Sequence, residues 1–304
     1  MNGLGVPLVT PFDEDGDVDE DALADLVAWV TDGERRREVT AGGSHPSGVD
    51  FVVPCASHGE AELLTVAERD RVTEVVVEAT PPDVDVLAGT GHPGYRETRE
   101  QTRRAADAGV DGALVVAPCP VRHDESTVAA YYRDLADESE VPLYLSDTPQ
   151  FTGTALSVET AAALATHENV HGMVDTAGDF DAFQRLRERT REEAFELFVG
   201  DGSLLAPALD AGADGGVCAL ANVVPGRLKE VCELHLGGED DAARQLDRRL
   251  LELDHAVTDE YGVPGLKAAT DYRGAPAGAP RRPHRPVDDD ARTEIETLVD
   301  DALP

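Results

Sequence analysis

Three side chains that can exchange protons, those of His58, Asp147 and Asp175, stand at or just after the ends of apolar segments. Histidine titrates near neutral pH, and a carboxylate that accepts a hydrogen bond from the ring fixes its orientation. His58 with Asp147 or Asp175 is therefore a candidate acid–base pair. The apolar residue just before Asp175 is Val174, whose side chain has no group that can react with a carbonyl.

A second set of residues could bind a small carboxylate. Ser57 and His58, with the backbone N–H groups of the segment ASHGE, offer hydrogen bonds to an anion. Thr10, Ser146 and Val217 lie near the ends of other predicted strands and complete the candidate binding set. The alternative is that the polar groups make only the hydrogen bonds that are usual in turns.

A divalent cation is another candidate ligand, because His58, His92, Asp147 and Asp175 are residue types that coordinate metals and would permit metal-assisted chemistry. No closely spaced ligand motif supports such a site. The four cysteines show no CxxC spacing and suit small buried positions better than a zinc site. We therefore expect neither a metal nor a cofactor.

Eight apolar segments with strand character alternate with helix-like segments along the chain. The strand candidates are 5–9, 49–55, 84–89, 112–117, 142–146, 170–175, 195–200 and 215–220. The helical candidates between them, with apolar residues at three- and four-residue spacing, are 19–32, 65–80, 94–109, 125–139, 157–167, 180–193 and 203–211. Further helical segments are 225–236, 239–257, 263–271 and 288–302.

This alternation predicts an α/β fold, a (β/α)8 TIM barrel over residues 1–223 followed by a C-terminal helical region over 224–304, with a doubly wound sheet as the alternative. Catalytic residues of TIM barrels collect where the strands end, so the candidate residues should share one face. The segment 34–48 belongs to the opposite face and is expected to have a structural role. GTGHPG at 89–94 matches a nucleotide-binding pattern, but the next strand ends in Ala-Pro instead of an acid, which favours a simple strand-to-helix turn.

The charge of the chain is extreme, with 26 basic and 61 acidic residues and a net charge of −35. Such a charge repels itself at low ionic strength and is screened at ~1 M salt, which indicates adaptation to a salt-rich cytoplasm. The absence of a basic stripe argues against nucleic acid as a partner. No apolar stretch reaches the length of a membrane span and no signal sequence is evident, so we expect a cytoplasmic protein that does not bind membranes.

Several segments, in order along the chain, resemble one known family. They are GVPLVTPFDEDGDVDEDAL, ASHGEAELLTVAER, TPQFTGTALS, GMVDTAGD, GDGSLLAPALDAGADGGVCALANVVP and VPGLKAA. On these motifs the chain resembles the dihydrodipicolinate synthase / N-acetylneuraminate lyase family of barrel aldolases over nearly its whole length. The resemblance implies a TIM barrel, and it implies a homo-oligomer, a dimer or a tetramer.

The resemblance also implies a class I aldol reaction, in which a lysine on strand 6 forms an imine with pyruvate or another 2-oxo acid. In that family a tyrosine of strand 5 transfers protons, a Thr-Thr pair holds the carboxylate, and the synthases use an arginine for the second substrate. Matched position by position, the lysine is Val174, the tyrosine is Ser146 and the arginine is Phe151, while Ser57-His58 replace the threonines. Tyr144 should lie one layer deeper in the barrel than Ser146.

These residues leave three hypotheses open. The first is a diverged family member that binds a small carboxylate or 2-oxo acid at the barrel mouth and uses His and Asp, or a metal, as a lyase. The second is a non-catalytic binding or assembly subunit. The third is an orthodox imine-forming lyase, which would need its amine from one of the two lysines in the sequence, Lys229 or Lys267.

Overall fold

Eight parallel strands close into a barrel in a computed structural model, which describes residues 1–32 and 48–303. The strands are β1 (Gly3–Pro7), β2 (Phe51–Val53), β3 (Asp85–Gly89), β4 (Gly112–Val116), β5 (Leu143–Asp147), β6 (Val170–Asp175), β7 (Glu196–Val199) and β8 (Gly215–Val217). Each strand pairs with the next one along the chain, and β8 pairs with β1. The predicted (β/α)8 barrel is confirmed, and the doubly wound alternative is wrong.

Helices follow the strands and surround the barrel. They are α1 (Glu20–Asp32), α2 (Val66–Ala79), α3 (Tyr95–Ala108), α4 (Glu125–Glu138), α5 (Pro149–Thr152), α6 (Val158–Leu164), α7 (Phe180–Thr190) and α8 (Leu205–Asp210). The C-terminal helices are α9 (Pro225–Leu236), α10 (Asp240–His255), α11 (Gly262–Tyr272) and α12 (Asp289–Ala302), with one π-helical turn at Ala256–Glu260. Within the described ranges, no helix is both long enough and apolar enough to cross a bilayer.

Side-chain caps fix several helix starts. Ser157 accepts a hydrogen bond from the N–H of Thr160 at the start of α6, and Thr65 forms a capping box with Glu68 at the start of α2. Such caps satisfy N–H groups that have no acceptor within the helix. The 89–94 segment is a turn from β3 to α3, as expected, with Gly94 as the residue before the helix. The predicted 34–48 insertion lies outside the described residues, apart from Gly48.

The hydrophobic residues form two layers. Inside the barrel, a small cluster comprises Phe51, Val53, Leu87, Leu114, Tyr144, Val174, Phe198 and Val217. Between the strands and the helices, a second and larger cluster also includes residues of α10, α11 and α12. Because the C-terminal helices share this core with the barrel, the division into domains at residue 223 stays a prediction.

A buried ion pair connects the C-terminal helices to the barrel. The Nζ atom of Lys267, on α11, lies 2.7 Å from Oε1 of Glu60, and the two side chains are 1% and 0% exposed. The same ammonium donates hydrogen bonds to the carbonyls of Thr10 at 2.7 Å and Ala279 at 3.0 Å. Glu60 also accepts a hydrogen bond from the backbone N–H of Arg281. The ammonium therefore contacts one carboxylate and two carbonyl oxygens, and the loops after β1 and β2 are joined to the C-terminal segment.

We predict that the stability of the fold rises with salt concentration. Arginines on the helices pair with nearby acids, as Arg71 does with Glu20 at 2.7 Å, but these pairs are exposed and each adds little stability. The net charge of −35 remains and disfavours the compact state. The melting temperature should therefore increase between ~0.1 M and ~2 M KCl as the repulsion is screened.

Differential scanning calorimetry with KCl as the variable measures this effect. Sucrose at matched osmolality is the control for effects of a cosolute that do not involve charge. A melting temperature that stays level across the KCl series, or that rises as much in sucrose, would contradict the prediction.

Candidate functional site

A cavity of about 360 Å³ opens where the strands end. Its floor includes inward-facing residues of four strands, Leu114, Ser146, Val174 and Val217. Its walls come from the loops after the strands and from the end of α10. Of the predicted binding residues, the cavity brings together Ser57, His58, Ser146 and Val217.

Val174 lies at the position where the family resemblance implies the imine-forming lysine. It lies on β6, is 3% exposed, and is in register with Ser146 on β5. Its side chain belongs to the cluster inside the barrel, together with Phe198 and Val217. At the position where the family resemblance implies a lysine, the cavity therefore presents two methyl groups.

Ser57 and His58 belong to a single helical turn, Ser57–Gly59, directly after β2. Both line the cavity, and neither side chain has a hydrogen-bond partner within residues 1–32 and 48–303. Burial lowers the pKa of His58 to about 4, because the charged imidazolium loses hydration. At neutral pH the ring is uncharged and can donate one hydrogen bond and accept another.

Thr10 does not reach the cavity. Its side chain is buried and its hydroxyl donates a hydrogen bond to the carbonyl oxygen of Gly59 at 2.7 Å. Thr10 therefore positions the Ser57–Gly59 turn from behind. Thr10 was predicted to bind the ligand. The structure gives it a supporting role instead, because its hydroxyl already donates a hydrogen bond within the protein.

Asp147 and Asp175 also lie outside the cavity wall. They are the last residues of β5 and β6, and each follows a residue that points inward, so their side chains point toward the helices. Asp147 accepts a hydrogen bond from the N–H of Leu156 at 3.1 Å, and Asp175 accepts one from the N–H of Ala177 at 2.8 Å. The predicted pairing of either carboxylate with His58 is not supported by this placement.

Burial dominates the acid–base properties of these two aspartates. It raises the pKa of Asp147 to about 7, and it raises the pKa of Asp175 as well. The two residues are neighbours across the β5–β6 pair, and the charge of Asp175 adds to the rise at Asp147. Both carboxyl groups lie between the strands and the helices, outside the cavity wall.

The four residues considered as metal ligands are not gathered. His92 lies in the β3–α3 turn, where its Nδ1 accepts a hydrogen bond from the N–H of Gly94 at 3.1 Å. Within the described part of the chain, the only group with ligand atoms close enough together for a metal is Asp210, His235 and Asp240. That group lies away from the cavity, with Asp210 at the end of α8, His235 in the last turn of α9 and Asp240 at the start of α10.

Neither lysine lines the cavity. Lys229, on α9, pairs with Asp50 at 2.5 Å, just before β2 begins. Burial lowers the pKa of Lys267, which is a property that imine-forming lysines need. Its ammonium is nevertheless occupied by Glu60 and two carbonyl groups behind the loops. The orthodox imine hypothesis therefore has no amine at the cavity among the described residues.

Tyr144 lies one layer below Ser146, as expected from the alternation along β5. Its ring packs in the barrel interior, where a Cβ atom on Gly172 would come within 2.8 Å of it. Its hydroxyl donates to Oε2 of Glu196 at 2.6 Å, at the start of β7. Phe151, at the family's arginine position, is 60% exposed on the rim. The Tyr144 hydroxyl is thus held at the opposite end of the strands from the cavity, and Phe151 carries no charge.

Two buried charged residues of the cavity wall were not identified from the sequence. Arg69, in the first turn of α2, is 8% exposed and donates to the carbonyls of Gly89 at 3.0 Å and Gly91 at 3.1 Å. Asp254, near the end of α10, is 5% exposed. A helix that follows a barrel strand begins at the catalytic face, so Arg69 could have been found from its position. No sequence signal placed α10 at the mouth.

The comparisons with known proteins agree on one family. A model described as the dihydrodipicolinate synthetase family matches residues 1–302. The chain is 35% identical over 301 residues to an uncharacterized DapA-like lyase of Halobacterium salinarum, covering 99% of this chain and 94% of that protein. It is 33% identical over 299 residues to a 4-hydroxy-tetrahydrodipicolinate synthase of Methanothrix thermoacetophila, covering 98% and 96%.

A solved structure gives the same result. It is a prophage protein of the dihydrodipicolinic acid synthase family from Escherichia coli K12, in complex with pyruvate. It is similar to this chain with a TM-score of 0.90 and 25% identity, covering 99% of this chain and 98% of that one.

Proposed function

Because the chain belongs to the dihydrodipicolinate synthetase family, we propose that it binds a small carboxylate or 2-oxo acid in the cavity at its barrel mouth and forms no imine with it. One observation carries this proposal. The side chains of Ser57, His58 and Ser146 face the cavity, and no described residue satisfies their hydrogen bonds. A bound carboxylate or carbonyl oxygen would supply the missing partners.

The charge of the wall near these residues supports a carboxylate ligand. Arg69 is the one cation among the described residues that line the cavity, and its Nε atom is buried without a hydrogen-bond partner. Its other contacts are to backbone carbonyls, and no carboxylate of the described residues forms an ion pair with it. A guanidinium with an unpartnered N–H group and no paired carboxylate favours an anionic ligand.

The absence of imine formation follows from Val174. An imine requires a nucleophilic amine next to the bound carbonyl. The methyl groups of Val174 fill the matching position, and the remaining lysines are held in ion pairs elsewhere. Of the two remaining hypotheses, this arrangement favours a binding protein over a lyase based on His58 with Asp147 or Asp175, because neither of these two aspartates lines the cavity.

We expect wild-type protein to bind pyruvate reversibly and to gain no mass when the mixture is reduced with borohydride. Ser57→Ala and Ser146→Ala should each weaken pyruvate binding by about tenfold, the size of one lost hydrogen bond to a charged group. Ser126→Ala, which alters an exposed serine on α4, is the matched control. Calorimetric titration and intact-protein mass spectrometry measure the two effects.

The variant Val174→Lys tests whether an amine at position 174 is sufficient for imine formation. The new amine would lie in the cavity, so borohydride should trap a small amount of adduct in this variant only. Normal aldol turnover should not appear, because Ser146 lacks the reach of a tyrosine for proton transfer. A trapped adduct on wild type would refute the proposal, as would pyruvate binding that is equal in Ser57→Ala, Ser146→Ala and wild type.

A further inference from the structure

One part of the cavity wall is acidic. Three aspartates line this part of the cavity. Asp201 follows β7, Asp254 is the next-to-last residue of α10, and Asp259 lies in the π-helical turn after α10. Asp201 is partly satisfied, because its Oδ1 accepts hydrogen bonds from the N–H and the hydroxyl of Ser203. Asp259 is exposed and pairs with His255 at 3.1 Å. These two carboxylates alone would be ordinary surface groups.

Asp254 is different, because it is buried and unpartnered. Its Oδ1 atom is inaccessible to solvent and has no hydrogen-bond partner among the described residues. The carboxyl group faces Gly202, another residue of the cavity wall, where an added Cβ atom would come within 2.5 Å of Oδ1. A buried carboxylate with no partner is costly, so its presence at a cavity wall points to a ligand that completes its hydrogen bonds.

The charges of the wall do not balance. Against Arg69 stand four acids, Glu62, Asp201, Asp254 and Asp259. A carboxylate ligand bound near Arg69 would add one more negative charge and leave the acidic part uncompensated. A cation on the same ligand would reduce this imbalance.

We propose that the acidic part of the cavity, with Asp254 at its centre, binds a protonated aliphatic amine, so that the natural ligand carries a carboxylate at one end and an ammonium group at the other. The assignment of the carboxylate end rests on the proposed function. A metal ion fits less well, because the ligand atoms here are not gathered within the 4.8 Å found at Asp210, His235 and Asp240. A hydroxyl ligand could donate to Asp254 but would bring no charge.

The acid–base behaviour of Asp254 is consistent with this assignment. Burial raises its pKa to about 7. The titratable groups that face it are Asp201, Asp247, Cys218, Asp259 and His255. The three aspartates raise the pKa further, and only His255, if protonated, lowers it. An ammonium group stabilises the ionised carboxylate, so amine affinity should increase as the pH rises through about 7.

Calorimetric titrations at fixed KCl test the proposal with β-alanine, γ-aminobutyrate and δ-aminovalerate, each against the carboxylate of the same chain length. n-Butylamine is included to test the acidic part by itself. At least one amino carboxylate should bind about tenfold more tightly than its plain counterpart at pH 8, and Asp254→Asn should abolish that difference while carboxylate binding persists. Asp247→Asn, which changes another buried aspartate of α10 outside the wall, should retain the difference.

Equal affinities for all matched pairs in wild type would overturn the proposal, and so would a preference that survives in Asp254→Asn. The two proposals can fail separately. Binding of n-butylamine that depends on Asp254, without binding of any plain carboxylate, would support the amine site and refute the carboxylate site. Binding of plain carboxylates, without binding of n-butylamine and without a preference for amino carboxylates, would support the carboxylate site and refute the amine site.

Discussion

Lys267→Met is expected to lower the free energy of unfolding by about 3–5 kcal/mol, the usual cost of removing one partner of a buried ion pair. Lys267 and Glu60 are both almost completely buried and lie 2.7 Å apart. Without the ammonium, the buried Glu60 carboxyl group keeps the hydrogen bond from the N–H of Arg281 but loses its counter-ion. The carbonyls of Thr10 and Ala279 lose a donor as well. Chemical denaturation at fixed KCl measures the change.

The double variant Lys267→Met/Glu60→Gln separates the buried charge from lost packing. It should recover much of the loss, because neither partner is then left ionised. Lys229→Met is the matched control, since Asp50 in that pair is 34% exposed and can regain water. A loss from Lys267→Met no larger than that from Lys229→Met would contradict the prediction.

Asp254→Asn is expected to stabilise the protein near pH 8 and to have little effect near pH 4. Burial raises the folded-state pKa of Asp254 to about 7, whereas an aspartate in the unfolded chain titrates near 4. Between about pH 4 and pH 7 the folded state therefore holds a proton that the unfolded state has released, and stability falls as the pH rises. Over this window the wild type should lose up to about 4 kcal/mol relative to the variant.

Denaturation curves of both proteins at a series of pH values give this difference directly. Other titrating groups are common to the two chains, so their effects cancel in the comparison. Asp301→Asn, at an exposed position on α12, is the control for removing one carboxylate from the surface of the chain. A difference between Asp254→Asn and wild type that is constant from pH 4 to pH 8 would refute the prediction.

The sequence was sufficient to predict the barrel, because hydrophobic periodicity marks each strand and helix independently. All eight strands and all the long helices lie where the apolar spacing places them, with ends shifted by a few residues. The short helix α5 and the helical turn Ser57–Gly59 were missed, since three or four residues cannot display a period. The placement of Val174 in the barrel interior likewise followed from strand alternation.

The same alternation could have corrected the prediction for the two aspartates. If Val174 and Ser146 point into the barrel, then Asp175 and Asp147, the next residues, must point out. The acidic part of the cavity could not be predicted in this way. Asp201 and Asp254 meet only because α10 packs beside the loop after β7, and no local pattern encodes that contact.

The two lysines described above also determine how the protein responds to amine-specific reagents. The sequence contains no other lysines, and in the fold their side chains are 11% and 1% exposed and held against carboxylates. Acylating labels and lysine-directed crosslinkers should therefore find almost no ε-amine to modify while the barrel is intact. Modification of Lys267 requires that the C-terminal helices separate from the mouth, so its acylation rate would report how often that part of the molecule opens.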